Sequence, residues 1–198
     1  MTVESVRRAT IALALVLSAG VIGSAAGPKV RAERDKTFDF KGLRSWAWHP
    51  TGAGDVRMAL TANDDPKAVG ARFEPVIKDS VQQELAKREI SPVATGQDPH
   101  IYLHYYLLVS SNVARQSMGQ FLPSVTEWGL PPFSGATQDF RVFPEGSVLI
   151  DVTAVRTGKI IWRGMVSGEI ALDRSPTERD TRLRAAIAAL LKKFPSTS

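Results

Sequence analysis

Histidine is the side chain best suited to acid–base and metal chemistry near neutral pH, and this sequence has three histidines: His49, His100 and His104. His100 and His104 are four positions apart, in a segment whose pattern predicts a β-strand. On a strand, residues at this spacing share one face but lie roughly 13 Å apart, which is too far for a common metal ion. We therefore predict no metal site, and no motif points to a cofactor.

Nucleophilic catalysis has no support in the sequence. There is no Gly-x-Ser-x-Gly motif of the kind that presents a reactive serine on a sharp turn. Three serines next to predicted strands, Ser110, Ser111 and Ser147, lack any neighbouring residue that would activate them. We therefore predict no catalytic residue.

The carboxylates with the most suggestive positions are Asp64, Asp65 and Asp151. Asp64 and Asp65 precede Pro66, which favours a turn or a helix N-cap over a catalytic pair. Asp151 alternates with apolar neighbours on a predicted strand. It either faces solvent, where Arg163 on the next strand is a cross-strand partner, or is buried and paired; the pattern favours solvent or the ion pair.

Composition narrows the class of protein further. The chain has 198 residues, 43% hydrophobic and 23% charged, with a net charge of +5, which is typical of a globular protein. It contains no cysteine, so disulfides, cysteine-ligated metals, thiol catalysis and a cysteine-linked lipid anchor are excluded. Its basic residues are scattered among acidic ones, a distribution that does not favour nucleic acid as a partner.

The N-terminal segment resembles a secretory signal peptide. Arg7 and Arg8 precede an uncharged, apolar stretch, and the small residues Ser24 and Ala26 follow it. This order of a basic, an apolar and a small-residue region predicts export with cleavage after Ala26. The alternative is that residues 1–26 are retained as a membrane anchor, since the uncharged stretch approaches the roughly 20 residues needed to span a bilayer.

The remainder, residues 27–198, is predicted to be a single α+β domain. Hydrophobic periodicity and turn residues give the order β-β-α-β-β-β-α, with two amphipathic helices packed on a mostly antiparallel sheet. The predicted elements are strands over 30–40 and about 46–48, a surface loop over 49–67, a helix with Pro75 in its first turn, a strand over Ile101–Val109, a hairpin over 147–155 and 159–169, and a last helix capped by Ser175.

A long proline- and glycine-containing loop is predicted over residues 110–143. Loops of this length tend to be functional, and its apolar residues fit neither helix nor strand periodicity. These residues either pack over the sheet or form a contact surface for a partner. We predict an interaction surface made of Phe121, Trp128, Leu130 and Phe133.

Two blocks of the sequence resemble the bacterial domain of unknown function 4136 family. One is Val30–Trp48, which ends in "RSWAW", and the other is "GSVLIDVTAVRTGKIIWRG" before the final amphipathic helix. The resemblance implies an exported α+β envelope protein, often lipid-anchored, with no established activity and no catalytic residues to carry over. Two positions depart from the family pattern: Val21 follows the lipobox-like residues 17–20 in place of an acylated cysteine, and Glu89 replaces a helix-ending glycine.

We therefore expect an exported periplasmic or envelope protein that is not an enzyme but a binding or interaction module. Its expected partner is an envelope protein or cell-wall component, with membrane contact only if the signal segment is retained. Two alternatives stay open. One is a periplasmic hydrolase that uses His49 or His104 with a carboxylate such as Asp151; the other is a carrier of a small apolar ligand between helices and sheet.

Overall fold

A computed structural model of the chain describes residues 28–59, 65–94, 96–110, 131, 146–168 and 175–197. Within these ranges the backbone forms seven strands and two helices. In chain order they are β1 (Lys29–Arg34), β2 (Ser45–Trp48), β3 (Gly54–Ala59), α1 (Pro66–Ala86), β4 (Ser91–Pro92), β5 (Ile101–Ser110), β6 (Ser147–Ala154), β7 (Lys159–Ser167) and α2 (Pro176–Leu191).

The strands form one mixed sheet in the order β1-β7-β6-β5-β2-β4, and β3 also pairs with β5. The pairs β1–β7, β7–β6 and β6–β5 are antiparallel, whereas β2–β5, β3–β5 and β2–β4 are parallel. On the side of β5 away from β6, the first residues of β5 pair with β2 and its later residues pair with β3. The long strand β5 is therefore the centre of the sheet.

Both helices pack on the same face of the sheet, which we call the helix face. Alternate residues of the strands point toward the helices and form the main hydrophobic core. Its largest side chains include Trp46, Tyr105 and Trp162, each at most 2% exposed. We call the opposite face of the sheet the polar face.

The α+β class, the two helices and the mostly antiparallel sheet are confirmed, although the parallel pairs of β2, β3 and β4 make the sheet mixed rather than purely antiparallel. Two strands were not predicted. β3 lies within the stretch 49–67 that we predicted to be a loop, and β4 has only two residues. The first strand is also shorter than predicted, because it ends at Arg34 rather than near residue 40.

Helix α1 begins at Pro66, nine residues before Pro75, so the prediction that Pro75 lies in its first turn is wrong. Asp65 is its N-cap and accepts a hydrogen bond from the backbone N–H of Lys67, so Pro66 occupies the first turn. Pro75 lies inside the helix, where it removes one backbone hydrogen bond. The burial of Phe73, Val76, Ile77, Val81 and Leu85 against the sheet offsets that cost.

Helix α2 and the hairpin before it follow their local sequence signals. Ser175 and Glu178 form the predicted capping box. Gly158 adopts φ +66° in the turn between β6 and β7, as the hairpin prediction requires. Neither helix in the described ranges combines the length and hydropathy needed to cross a bilayer.

The C-terminal ends of the two helices are joined by one arginine. Arg88 lies just after α1; its Nη2 donates to the Leu191 carbonyl at 2.6 Å and its Nη1 donates to the Phe194 carbonyl at 3.3 Å. The Leu191 carbonyl at the end of α2 also accepts from the Phe194 N–H at 3.0 Å, so the guanidinium adds a second donor there and opposes the negative end of the helix dipole.

We predict that Glu89→Gly stabilises the fold. Glu89 follows α1 and has φ +59°, the one described non-glycine residue with a positive φ. Glycine adopts this conformation without a Cβ penalty, so the unfolding free energy should rise by about 1 kcal/mol in urea denaturation. Gln82→Gly, at an exposed position inside α1, should lower it by a similar amount. A destabilised Glu89→Gly would contradict the prediction.

Candidate functional site

A row of charged and polar side chains crosses the polar face at the centre of the sheet. The strand register places His104 of β5 opposite Asp151 of β6, and Asp151 opposite Arg163 of β7. Because all three belong to the same face, their side chains lie side by side rather than in the main hydrophobic core. The register thus aligns three ionisable side chains on three neighbouring strands.

Asp151 and Arg163 form a buried, bidentate ion pair. Arg163 Nε donates to Asp151 Oδ1 and Arg163 Nη2 donates to Oδ2, both at 2.6 Å, and each residue is 2% exposed. Burial raises the pKa of the Asp151 carboxyl above its ordinary value, while the Arg163 guanidinium opposes that rise. The predicted pairing with Arg163 is confirmed, but the pair is buried and Asp151 does not face solvent.

Four rings lie together beside this ion pair, and we call them the histidine cluster: His49, Tyr102, His104 and Tyr106. The ring centroids of His104 and Tyr106 are 4.6 Å apart, and those of His49 lie 5.6 Å from Tyr102 and 6.0 Å from His104. Burial, reinforced by the Asp151 charge, raises the pKa of Tyr106 to about 12, so its phenol stays protonated at neutral pH.

The hydrogen bonds of the two histidines assign their protons. His104 Nδ1 lies 3.0 Å from the Gly52 carbonyl, which only accepts, so Nδ1 carries the proton. Among the residues that the structure describes, His104 Nε2 has no hydrogen-bond partner, and it lies 3.6 Å from Asp55 Oδ2. In His49, Nδ1 accepts from the backbone N–H of Thr51 at 3.3 Å, so the proton of the neutral ring is on Nε2.

His49 should make the stability of the fold depend on pH. Burial and then the nearby His104 lower the pKa of His49 below its ordinary value of 6.5. Because the pKa of His49 is lower in the folded than in the unfolded state, its contribution to stability is complete above pH 6.5 and is lost as the pH falls below 6.5. Between about pH 7 and about pH 5, the unfolding free energy of the wild type should fall more steeply than that of His49→Gln. Parallel pH profiles in urea denaturation would contradict this.

The carboxylate nearest His104 in the ion-pair geometry is that of Asp55, 3.6 Å from Nε2, and not that of Asp151. Both carboxylate oxygens of Asp151 bind Arg163, so neither orients a histidine. The hydroxyl nearest the histidine cluster is that of Thr51, 2.7 Å from His49 Nδ1, and Ser147 instead bonds to Ser167 at 2.8 Å. In the described ranges, no group of three or more carboxylate or histidine side chains is placed to hold a metal ion.

His100 and His104 have separate surroundings. His100 Nδ1 accepts from the backbone N–H of Arg44 at 3.2 Å and lies 2.9 Å from the Ser45 hydroxyl. This contact joins the starts of β2 and β5. Sequence reasoning missed it, since 55 residues separate Ser45 from His100 and no local signal links them.

Several predicted positions lie outside the described residues. These include Asp64, Ser111 and the whole proposed interaction surface, Phe121, Trp128, Leu130 and Phe133. Within the stretch 111–145, Pro131 is described, and its carbonyl accepts a hydrogen bond from Arg163 Nη2 at 2.9 Å. The central ion pair therefore contacts this stretch directly.

The fold and the polar face define a class: an α+β protein with one mixed sheet, two helices on one face and a buried ion pair on the other. The model of one protein family, described as domain of unknown function DUF4136, matches residues 30–196. The chain belongs to this family. No curated protein matches its sequence.

Several solved structures are similar to this chain at low sequence identity, and the first of them shares its fold. A DUF4136 family protein from Bacteroides thetaiotaomicron superposes with a TM-score of 0.53 and 11% identity, over 87% of this chain and 98% of that one. A PelC dodecamer from Paraburkholderia phytofirmans gives 0.41 and 12%, over 82% and 96%. A PDZ domain protein from Parabacteroides distasonis gives 0.42 and 11%, over 85% and 37%.

Proposed function

We propose that this protein is an exported, non-enzymatic binding module of the bacterial cell envelope that contacts its partner through the segment 110–143. One observation carries the proposal: Arg163 Nη2 donates to the Pro131 carbonyl at 2.9 Å. The partner is an envelope protein or a cell-wall component.

In this proposal, the buried ion pair positions the guanidinium that donates to the Pro131 carbonyl. Asp151 holds the Arg163 guanidinium through two bonds of 2.6 Å, which leaves Nη2 aimed at Pro131. Leu130 is the neighbour of Pro131 in sequence, Phe133 is two residues away and Trp128 is three. The sheet thus contacts the backbone at Pro131, which is at most three residues from each of these apolar side chains. A rigid scaffold positions a binding loop in this way.

The two alternative functions receive less support from the described residues. The hydrolase would need a histidine oriented by a carboxylate: both oxygens of Asp151 bind Arg163, and Asp55, which lies 3.6 Å from His104 Nε2, also contacts Arg57 at 3.2 Å. The apolar-ligand carrier would need space between helices and sheet, and Trp46, Tyr105 and Trp162 fill that layer.

Export rests on the signal-peptide pattern of residues 1–26, and N-terminal sequencing of chain recovered from the periplasm is expected to begin at Gly27.

The test of the binding surface replaces Phe121, Trp128 and Phe133 together by serine in the full chain. Cross-linking in intact cells, followed by quantitative mass spectrometry, is expected to show the wild-type partners lost from this variant. The matched control carries Ala71→Ser and Ala86→Ser at exposed positions of α1 and should keep them. An unchanged set of partners, with an unchanged circular dichroism spectrum, would overturn the proposal.

A further inference from the structure

Strand β1 forms one end of the sheet and pairs only with β7 among the described strands. The N–H of Asp35 donates to the Ile161 carbonyl at 2.8 Å, which makes these two a hydrogen-bonded pair of the antiparallel ladder. Such pairs alternate with pairs that are not hydrogen-bonded. Every second residue of β1 therefore directs its backbone N–H and C=O away from β7, and these residues are Val30, Ala32 and Arg34.

The side chains of the same three residues line a groove of about 400 Å³. They point to the helix face, so the groove lies between the sheet edge and the chain at the end of α2. Its remaining lining residues are Glu33, Trp162, Lys193 and Pro195. The groove thus combines a mixed polar and apolar lining with outward-facing backbone groups of β1.

The charge of the groove comes from two cations. Arg34 and Lys193 are exposed, and neither is within ion-pair distance of a described carboxylate. The carboxylate of Glu33 belongs to the polar face, because its register partner is Arg163. An anionic group is therefore the complement of the helix-face side of the groove.

We propose that this groove binds an extended acidic peptide segment of a partner protein, which adds to the outer edge of β1 as a further strand. The backbone of the peptide pairs with Val30, Ala32 and Arg34, as in other edge-strand complexes. Side chains alternate along a strand, so the peptide has a carboxylate near Arg34 and Lys193 and small apolar side chains two and four residues away, beside Ala32 and Val30. This site is separate from the segment 110–143.

A second copy of the chain is a poorer occupant. Two β1 strands paired edge to edge would bring together two copies of a segment with three basic residues and one acidic residue. Like charges on paired edges oppose such association, and natural edge strands use them for this purpose. An acidic peptide removes that repulsion and gains attraction from the same cations.

Fluorescence anisotropy on the purified chain tests the chemistry of the occupant. The probes are two labelled peptides of alternating valine and threonine, one ending in glutamate and the other in lysine. The glutamate peptide should bind at least about tenfold more tightly. Equal affinity for the two peptides, or no saturable binding of either, would overturn the proposal.

Charge reversal tests the position of the site. Arg34→Glu with Lys193→Glu should invert the preference, so that the lysine peptide now binds more tightly. Lys192→Glu reverses one charge beside the groove, in a residue that does not line it, and should leave the order of affinities unchanged. A double variant that still prefers glutamate would place the peptide elsewhere and overturn the proposal.

Ala32→Pro tests strand addition. It removes one outward N–H, a change that edge strands accept because no ladder bond is lost. Binding of the glutamate peptide should fall at least about tenfold, with an unchanged circular dichroism spectrum. If Ala32→Pro binds the glutamate peptide as tightly as the wild type, the proposal is overturned. It is also overturned if sedimentation shows that the wild type dimerises and that Ala32→Pro does not, because the occupant of the edge is then a second copy of the chain. The segment 110–143 is unaltered here, so its proposed function stands or falls separately.

Discussion

Arg163→Met is expected to lower the unfolding free energy by about 3 kcal/mol or more. The substitution keeps the apolar part of the side chain but leaves Asp151 at 2% exposure with no cationic partner. It also removes the hydrogen bond to the Pro131 carbonyl. Urea denaturation, followed by circular dichroism, measures the change.

Two controls separate this effect from the loss of an arginine as such. Arg57 lies on the same face, is 3.2 Å from Asp55 Oδ2 and is about half exposed, so Arg57→Met should cost less than about 1 kcal/mol. Combining Arg163→Met with Asp151→Leu removes both charges and should recover most of the stability. A cost for Arg163→Met no larger than that for Arg57→Met would contradict the prediction.

The same pair links stability to the proposed function. Arg163→Lys keeps a positive charge beside Asp151 but cannot make the planar, two-pronged contact and also reach Pro131. If the sheet positions the segment 110–143 through this guanidinium, Arg163→Lys should weaken capture of partners more than it weakens the fold. The proposed function therefore gives the ion pair a positioning role, which this comparison tests.

Elements specified by neighbouring residues were predictable from the sequence. Helix α2 is an example, since Ser175 and Glu178 signal its start within four residues and Pro195 follows its end. The β6–β7 hairpin is another, because Gly158 occupies the one turn position with positive φ. In both, the interactions that decide the structure are local.

Elements specified by distant residues were not predictable. β3 begins at Gly54, and glycine favoured a loop in the sequence. In the fold, the ring of Tyr105 occupies the space where a Cβ of residue 54 would lie, so this glycine allows close packing within the sheet. The early start of α1 was missed for a related reason: the packing of Phe73 and Ile77 decides that Pro75 is tolerated.

The candidate site also has contacts that were predictable from the sequence and contacts that were not. Alternation along two strands joined by a short turn predicted that Asp151 and Arg163 are opposite each other. The contacts of His104 with Gly52 and of His100 with Ser45 span more than 50 residues, and only the parallel pairing of β2 and β3 with β5 brings them together. Burial of the ion pair was equally non-local, because it depends on what covers the polar face.

Gly164→Ala is expected to lower the unfolding free energy by roughly 3 kcal/mol. A Cβ at position 164 would overlap the indole ring of Trp162 and lie 2.7 Å from Leu190 Cδ1. Trp162 is 1% exposed and Leu190 is fully buried, so neither moves aside without disturbing the contact between β7 and α2. Thermal and urea denaturation measure the loss.

Gly168→Ala is the matched control, because it follows the end of the same strand and has only Pro28 Cβ nearby, at 4.0 Å. It should change the unfolding free energy by less than about 0.5 kcal/mol. Shortening the clashing ring by Trp162→Leu should cost less in the Gly164→Ala background than in the wild type, since part of the strain is then relieved. Additive costs would show that the overlap with Trp162 is not what makes alanine unacceptable at position 164, and that glycine is required there for another reason.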